Sequence, residues 1–277
     1  MNEPDRTLAA RLGRQTVDIL RAGSYTSPSG RTVTLADTLR QTVENTVEYD
    51  PGRHPTSTPR RAAQTRLRVE NDTVLSVCRQ MVRDGPVAAL NFASATSPGG
   101  GFLSGARAQE ESIARSSGLY AALEGRDMYV VHRNRRDAMY SDFVIYSRDV
   151  PVFRVDAGDL LDEPWMLSVV TCPAVNGAAL AKYEPHRLNH VPAVMVARTD
   201  KMLAVAEAHG VRRFILGAWG CGAFGLDAEM MARIFDEALQ TSFRHVFDEI
   251  VFAITDWSRE QRFIGPFLRR FGPARTI

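Results

Sequence analysis

The sequence predicts an α/β fold in which a parallel or mixed sheet is covered by helices on both faces. Two observations lead to this prediction. After about residue 60, short apolar runs typical of buried strands alternate with longer stretches of helical periodicity. The chain also has 277 residues, of which 44% are hydrophobic, enough for one large domain or for a core with an extension.

The first 59 residues are predicted to be a mostly helical extension followed by a linker. Leu8, Leu12 and Ile19 recur with a helical period, and Gly23 is a suitable helix stop. The predicted elements are a helix over 4–22, a short strand over 32–34, a second helix over 35–49 and a loop over 50–59, which is rich in proline. The boundary between the extension and the core is therefore placed between residues 59 and 60.

Residues 60–277 are predicted to form the α/β core. Short apolar runs predict strands over 65–69, 87–92, 143–147, 166–171, 214–217 and 250–255. Helical periodicity predicts helices over 72–84, 112–123, 194–209 and 227–243. Because strands and helices alternate, most neighbouring strands are expected to be parallel.

Composition excludes several classes of protein. The 34 Lys and Arg residues nearly balance 32 Asp and Glu residues, so no strong field would attract nucleic acid or a membrane surface. No apolar run is long enough to span a bilayer. Three cysteines cannot form a disulfide framework, and no Cys-x-x-Cys pair offers zinc ligands. We expect a soluble cytoplasmic protein with no metal and no cofactor.

Two glycine-rich loops follow predicted strands. The first contains Gly99, Gly100 and Gly101 and is followed by Gln109-Glu110-Glu111, and the second runs over 217–225. Ligands of open α/β sheets bind beyond the carboxyl ends of strands, and consecutive glycines let backbone N–H groups approach an anion. Both loops are therefore predicted to contact phosphate. The second loop contains Gly-x-Gly-x-x-Gly but lies late in the chain, which disfavours a nicotinamide dehydrogenase.

Glu110 and Glu111 are candidates for acid–base chemistry. Adjacent side chains point in different directions, so these two cannot flank a bond as the facing carboxylates of an ordinary glycosidase do. A divided role is expected, in which one glutamate orients the substrate and the other transfers a proton. The alternative is a pair of solvated carboxylates at a helix start, where acidic residues are favoured.

Three glycines placed seven residues before Gln109-Glu110-Glu111 resemble the GGG-x(6–8)-QEE signature of poly(ADP-ribose) glycohydrolases. Residues 91–123 resemble the compact bacterial branch of that family, and 217–225 resemble its diphosphate-binding loop. The resemblance implies a three-layer α/β/α macrodomain with a mixed central sheet in residues 60–277. It also implies hydrolysis of the ribose–ribose bonds of poly(ADP-ribose), without a metal.

The resemblance also assigns roles to individual residues. Glu111 would be the catalytic acid, and its ionised form would then activate water. Glu110 would orient the ribose, and the amide of Asn91 would contact the same sugar. The implied substrate-binding residues are Gly99, Gly100, Gly101, Gln109, Gly217, Gly220, Cys221, Gly222, Ala223, Phe224 and Gly225. Trp257 is our candidate for a wall against adenine.

The implied partners are ADP-ribose and poly(ADP-ribose), including polymer attached to modified proteins, and neither nucleic acid nor a membrane. Two alternatives remain open at this point. A macrodomain can hold ADP-ribose without cutting it, although such a protein would need neither glutamate. A hydrolase of the same fold could instead act on mono-ADP-ribosylated protein. Release of free ADP-ribose from polymer distinguishes the glycohydrolase from the binding module.

Overall fold

The computed structural model describes residues 4–56 and 62–277, and the predicted boundary between residues 59 and 60 lies outside them. The main sheet has eight strands in the order β10-β4-β9-β8-β5-β7-β6-β3. The strands are β1 (Ser24–Thr26), β2 (Thr32–Thr34), β3 (Val47–Tyr49), β4 (Arg66–Glu70), β5 (Ala88–Phe92), β6 (Val144–Arg154), β7 (Leu160–Cys172), β8 (Arg213–Leu216), β9 (Glu249–Ala253) and β10 (Ala274–Thr276). Strands β1 and β2 form a separate hairpin.

Ten α-helices accompany the sheet in the described residues. They are α1 (Arg6–Ala22), α2 (Ala36–Glu44), α3 (Val74–Met81), α4 (Gln109–Ser116), α5 (Leu119–Leu123), α6 (Asp127–Arg135), α7 (Gly177–Tyr183), α8 (Val191–Ala208), α9 (Ala228–Gln240) and α10 (Ile264–Phe271). No helix in this part of the chain combines the length and apolar character needed to cross a membrane.

The sheet is mixed, with a parallel centre. Strands β4, β9, β8, β5 and β7 run parallel, whereas β10, β6 and β3 pair antiparallel at the two sides. Strand β5 is apolar on both faces because Leu90 packs with α8 and α9 and Ala89 packs with α3 and α5. The predicted three-layer α/β/α architecture is confirmed.

Most predicted elements are present, with shifted ends. Helix α1 ends at Gly23, which has φ +64°, and strand β2 occupies the predicted residues. Helix α9 begins after Asp227, whose carboxylate accepts a hydrogen bond from the N–H of Met230. At these two positions the capping residue correctly predicted where the helix ends or begins.

The second predicted helix is too long. Helix α2 ends at Glu44, and Val47–Tyr49 forms strand β3 against Val144–Tyr146 of β6. The β-branched and aromatic residues of this segment fit a pleated edge, and the tertiary partner decides the outcome. Part of the predicted extension thus belongs to the main sheet.

Candidate active site

A cavity of about 360 Å³ lies beyond the carboxyl ends of β5, β8 and β9. Its walls include Ser94 after β5, the loop 218–224 after β8 and Thr255 after β9. The first turn of α4, which carries Gln109-Glu110-Glu111, closes one side. The position agrees with the general location of ligand sites in open α/β sheets.

The triple-glycine loop wraps around the two glutamates. Gly99 and Gly100 have φ +68° and +60°, values that side chains other than glycine rarely adopt. A Cβ atom on Gly100 would overlap Glu111 Oε1 and would lie 2.9 Å from Glu110 Oε2. Glycine is required at position 100 because the carboxylates occupy the space of a side chain.

The N–H groups of this loop are engaged inside the protein. The N–H of Gly101 donates to Glu111 Oε1 at 2.8 Å, and the N–H of Gly100 donates to the carbonyl of Ser97 at 2.9 Å. The backbone of Gly99 hydrogen-bonds Glu110. The N–H groups of Gly100 and Gly101 are therefore used inside the protein, and the predicted contact of Gly99, Gly100 and Gly101 with the ligand stays a prediction.

Glu111 lines the cavity with one oxygen fixed and the other unpaired. Its side chain is 8% exposed, and Oε1 accepts the hydrogen bond from Gly101. Its Oε2 is buried and has no hydrogen-bond partner among the described residues. An unpaired buried carboxyl oxygen is costly unless a ligand completes it, so this atom is the strongest candidate for proton transfer.

Glu110 is held more fully than Glu111. Its Oε2 accepts a hydrogen bond from the N–H of Ser94 at 2.6 Å, and Asn91 Nδ2 donates to Oε1 at 3.4 Å. Burial raises the pKa of Glu110 to about 8, and the nearby charge of Glu111 adds to the increase. A solvated pair of carboxylates is therefore excluded, and burial favours the protonated form of Glu110.

Asn91 and Gln109 position this pair. Asn91 is fully buried and its Nδ2 donates to Glu110 from strand β5, whereas its Oδ1 has no hydrogen-bond partner among the described residues. Its predicted contact with a ribose stays a prediction. Gln109 Nε2 donates to the carbonyl of Leu90 at 2.7 Å, and its Oε1 accepts from the N–H of Phe92 at 2.9 Å. Although Gln109 lines the cavity, both groups of its amide bind β5.

The second glycine loop presents unpaired N–H groups. The N–H groups of Gly222, Ala223 and Phe224 make no hydrogen bond with the described residues, and all three residues line the cavity. A Cβ atom on Gly222 would meet nothing within 4 Å, so this backbone faces open space. Several free N–H groups in one turn form an anion-binding concavity.

The base of the second loop is packed into the core. Trp219 is fully buried and its Nε1 donates to the carbonyl of Cys172 at 3.1 Å. Cys221 is also buried, and burial raises the pKa of its thiol to about 12. A Cβ atom on Gly217 would lie 2.6 Å from the carbonyl oxygen of Ala253, so this glycine allows close packing. Neither Cys221 nor Gly217 lines the cavity, and their predicted contact with substrate stays a prediction.

Half of the predicted site residues line the cavity. They are Gln109, Glu110, Glu111, Gly220, Gly222, Ala223 and Phe224. The other predicted residues do not line the cavity and are Asn91, Gly99, Gly100, Gly101, Gly217, Cys221 and Gly225. Trp257, which is 76% exposed, does not line the cavity.

Sequence reasoning missed a second wall of the cavity. Thr73 and Leu75 of the α3 turn, Asp156 and Phe263 contribute to it. Phe263 places an aromatic side chain in this wall and Trp257 does not, although both residues lie beyond the last predicted strand. No local sequence pattern marked Thr73 or Asp156 as a site residue, because the two lie far apart in the chain. Thr73 Oγ1 donates a hydrogen bond to Asp156 Oδ2 at 2.7 Å, which brings them together in the fold.

Helix α1 packs directly on the triple-glycine loop. A Cβ atom on Gly13 would lie 2.6 Å from the carbonyl oxygen of Phe102, and Arg6 Nε donates to the carbonyl of Ser104 at 3.3 Å. Thr16 Oγ1 donates to the carbonyl of Arg115 in α4 at 2.5 Å. The N-terminal helix therefore positions both the loop and the helix that carries the glutamates.

The described residues contain no group of three or more His, Cys, Asp or Glu side chains that could hold a metal ion. The cavity instead offers carboxyl groups and backbone N–H groups. That combination can bind an anionic ligand and exchange a proton with it.

Comparisons with known proteins agree with this site. Residues 13–155 match the family described as microbial-type PARG, catalytic domain. The chain is similar to poly(ADP-ribose) glycohydrolase from Thermomonospora curvata, with 42% identity, a TM-score of 0.90, and coverage of 96% of this chain and 100% of that one. The same protein bound to the inhibitor ADP-HPD gives a TM-score of 0.88, with the same identity and coverage.

A third similar structure is poly(ADP-ribose) glycohydrolase from Deinococcus radiodurans in complex with ADP-ribose. It has 35% identity and a TM-score of 0.77, and the match covers 84% of this chain and 96% of that one. No match was found among curated proteins.

Proposed function

The chain belongs to the microbial-type poly(ADP-ribose) glycohydrolase family, and on that premise we propose that Glu111 is its catalytic acid. The enzyme hydrolyses the O-glycosidic ribose–ribose bonds of poly(ADP-ribose) and releases ADP-ribose. One observation carries the assignment of Glu111: one carboxyl oxygen is held by the N–H of Gly101, and the buried second oxygen has no partner. That second oxygen, Oε2, is free to give a proton to the leaving 2′-oxygen of the substrate.

Glu110 orients the sugar and keeps a proton at the site. Its carboxyl group is fixed by Ser94 and Asn91, which leaves it a rigid partner for the hydroxyl groups of the ribose. Burial raises the pKa of Glu110 to about 8, which favours its protonated form and lets it donate a hydrogen bond to a ribose hydroxyl. The acid step itself uses the proton on Glu111, which passes to the leaving oxygen.

The loop over 220–224 binds the diphosphate of the terminal ADP-ribose. Its unpaired N–H groups are suited to phosphate oxygens, and Phe224 packs beside the distal ribose. When the glycosidic bond breaks, the ribose carbon becomes positively charged, and the diphosphate held close to it stabilises that charge. Rigid placement of the sugar supplies further rate enhancement through orientation.

Water completes the reaction. After Glu111 has protonated the leaving oxygen, its carboxylate removes a proton from a water molecule that attacks the same carbon. One carboxyl group thus acts first as acid and then as base. The adjacent glutamates of this chain do not need the spacing of facing carboxylates for this mechanism.

We place the enzyme in the cytoplasm. Cys78, Cys172 and Cys221 are all buried and unpaired, as expected in a reducing compartment. The balanced charge gives no reason for attachment to a surface.

Exchange of Glu111 for glutamine tests the assignment. Glutamine keeps the acceptor for the N–H of Gly101 but cannot give a proton, so we expect release of ADP-ribose from polymer to fall about a thousandfold or more. Affinity for ADP-ribose, measured by calorimetry, should stay within about tenfold. The exposed Glu163→Gln variant is the matched control and should retain full activity. Normal turnover by Glu111→Gln would remove Glu111 from the mechanism.

A further inference from the structure

A second cavity adjoins the active cavity on the outer side of α3. It has a volume of about 420 Å³ and contains Arg79, Arg83, Arg154 and Trp165. We refer to these four residues and the space between them as the arginine pocket. Leu75 and Asp156 line both cavities, so one thin wall separates them.

Two arginines of the pocket have no protein partner. Arg79 lies in α3, and Arg83 follows four residues later in the 3₁₀ turn that continues it. Both side chains are exposed, and neither makes a hydrogen bond or ion pair with residues 4–56 or 62–277. Side chains four positions apart on a helix face the same way, so the two guanidinium groups present charge to one region.

Arg154 adds a buried charge to the pocket. It is 2% exposed, and its guanidinium donates to the carbonyls of Arg115 and Gly158 and to Gln15 Oε1. No carboxylate of the described residues lies within 4 Å of it, although Asp159 favours its charged form from further away. Burial lowers the pKa of Arg154 to about 10. A buried cation without an ion pair is costly, and an anion in the pocket would offset that cost.

The arginine pocket is also lined by one carboxylate, Asp156, and by the aromatic ring of Trp165. Asp156 belongs to the shared wall, where it accepts a hydrogen bond from Thr73 on the side of the active cavity. Trp165 is half-buried, packs against the apolar cluster beneath α3 and keeps part of its ring accessible. Arginines beside an accessible tryptophan suit a ligand that has both phosphates and a flat base.

We propose that the arginine pocket binds a second ADP-ribose unit of the polymer whose neighbouring unit occupies the active cavity. The inference rests on the proposed function. Each unit of the polymer repeats one diphosphate and one adenine. Arg79 and Arg83 would contact the diphosphate, and Trp165 would stack on the adenine. The shared wall makes this occupant more suitable than a free nucleotide, because consecutive units of one chain must lie side by side.

The test compares two substrates on the Arg79→Ala/Arg83→Ala double variant. One is long poly(ADP-ribose), and the other is ADP-ribose with a small fluorogenic phenol on its anomeric carbon, which fills only the active cavity. We expect KM for long polymer to rise about tenfold, from the loss of two phosphate contacts, with kcat within about twofold. Both constants for the small substrate should stay within about twofold of wild type. In the Trp165→Ala variant, KM for long polymer should also rise, by a smaller factor, while both constants for the small substrate stay near those of the wild type.

The control removes two exposed arginines that line neither cavity, as Arg148→Ala/Arg233→Ala. It should leave KM for polymer unchanged, which separates a local contact from general loss of positive charge. An unchanged KM for polymer in the Arg79→Ala/Arg83→Ala variant overturns the proposal, and so does an equal loss on both substrates, even if free ATP binds the pocket. Failure of the wild-type enzyme to release ADP-ribose from long polymer would instead contradict the proposed function.

Discussion

Gly100 shows how a single residue type can be required by its neighbours. A methyl group at this position would displace Glu111 Oε1, and φ +60° adds strain for any side chain. We therefore expect Gly100→Ala to lower kcat for polymer about a hundredfold, with a smaller loss of ADP-ribose affinity, because the loop does not line the cavity. Steady-state kinetics and calorimetry measure the two quantities.

Gly30→Ala is the matched control for this variant. Gly30 has φ +82° in the β1–β2 hairpin, and a Cβ atom there would meet nothing within 4 Å. It carries similar backbone strain without the collision, so its kcat should equal that of the wild type. If Gly100→Ala behaves like Gly30→Ala, the loop does not hold Glu111 in its working position.

The pKa of Glu110 predicts a dependence of stability on pH. The folded protein holds a proton on Glu110 up to about pH 8, whereas the unfolded chain loses it near pH 4.5. The free energy of unfolding contributed by this group is therefore fully present below pH 4.5 and decreases as pH rises to about 8. Glutamine has no carboxyl group to ionise in the unfolded chain, so the free energy of unfolding of Glu110→Gln should not decrease in this way. The free energy of unfolding of the variant minus that of the wild type should therefore increase between pH 4.5 and pH 8, by at most about 5 kcal/mol.

Urea unfolding of wild type and Glu110→Gln at several pH values measures this gain. Activity of the variant should fall even where its stability rises, because the oriented carboxyl group is lost. A stability difference that stays constant from pH 5 to pH 8 contradicts a buried, protonated Glu110.

At the scale of residues, the spacing between the triple glycine and Gln109-Glu110-Glu111 marked both segments as candidates for the site. The direction of the loop N–H groups was not predictable, since the same N–H group can hold a phosphate or a carboxylate. The choice is made by α4, whose first turn brings Glu110 and Glu111 under Gly99 and Gly101. The tertiary position of that helix thus decides that the N–H groups of the loop bind carboxylates.

At the scale of elements, helix α1 links the N-terminal segment to catalysis. Gly13 faces the carbonyl of Phe102 so closely that a methyl group must move the loop. Gly13→Ala should therefore lower kcat at least about tenfold and reduce stability, although alanine favours helices by about 1 kcal/mol over glycine. Kinetics and thermal unfolding check both effects.

Arg14→Ala, an exposed change on the same helix, should leave kcat and stability near those of the wild type. If Gly13→Ala stabilises the protein and keeps its kcat, helix propensity outweighs the contact with Phe102, and α1 does not position the loop.

Local sequence predicted elements well where capping residues mark their ends, as at Gly23 and Asp227. It failed where a distant partner decides the conformation. Residues 47–49 continue a helical pattern but pair with β6. Helix α6 was not predicted, and its residues lack a clear apolar face, because Met128 and Tyr129 are buried while Val130 and Val131 are exposed.

At the scale of the whole molecule, the alternation of strands and helices was enough to predict the sheet and the edge at which the cavity lies. The far wall of the cavity depends on contacts such as Thr73 with Asp156, which no local pattern reveals. The N-terminal segment was predicted as an accessory extension. It instead supplies an edge strand, a helix under the catalytic loop and the Gln15 partner of Arg154.

At the scale of the whole molecule, we also expect the rate of ADP-ribose release to be insensitive to metal chelators. His186 and His190 lie in an exposed 3₁₀ turn, and the described residues offer no three-ligand group. Millimolar EDTA should therefore leave the rate of ADP-ribose release unchanged, measured with and without added Mg²⁺. A rate that falls with EDTA and returns with the metal would require a different mechanism.

The side chain of Gln109 occupies the gap where strands β5 and β8 stop pairing. The two strands pair only at Ala88 and Ala89, and the Gln109 amide then takes the donor and acceptor of β5 that β8 would otherwise use. The opening between the strands is thus closed by a side chain instead of a backbone. Asparagine would be too short for this bridge and glutamate would lack the donor, so the closure of this part of the sheet depends on one amide group.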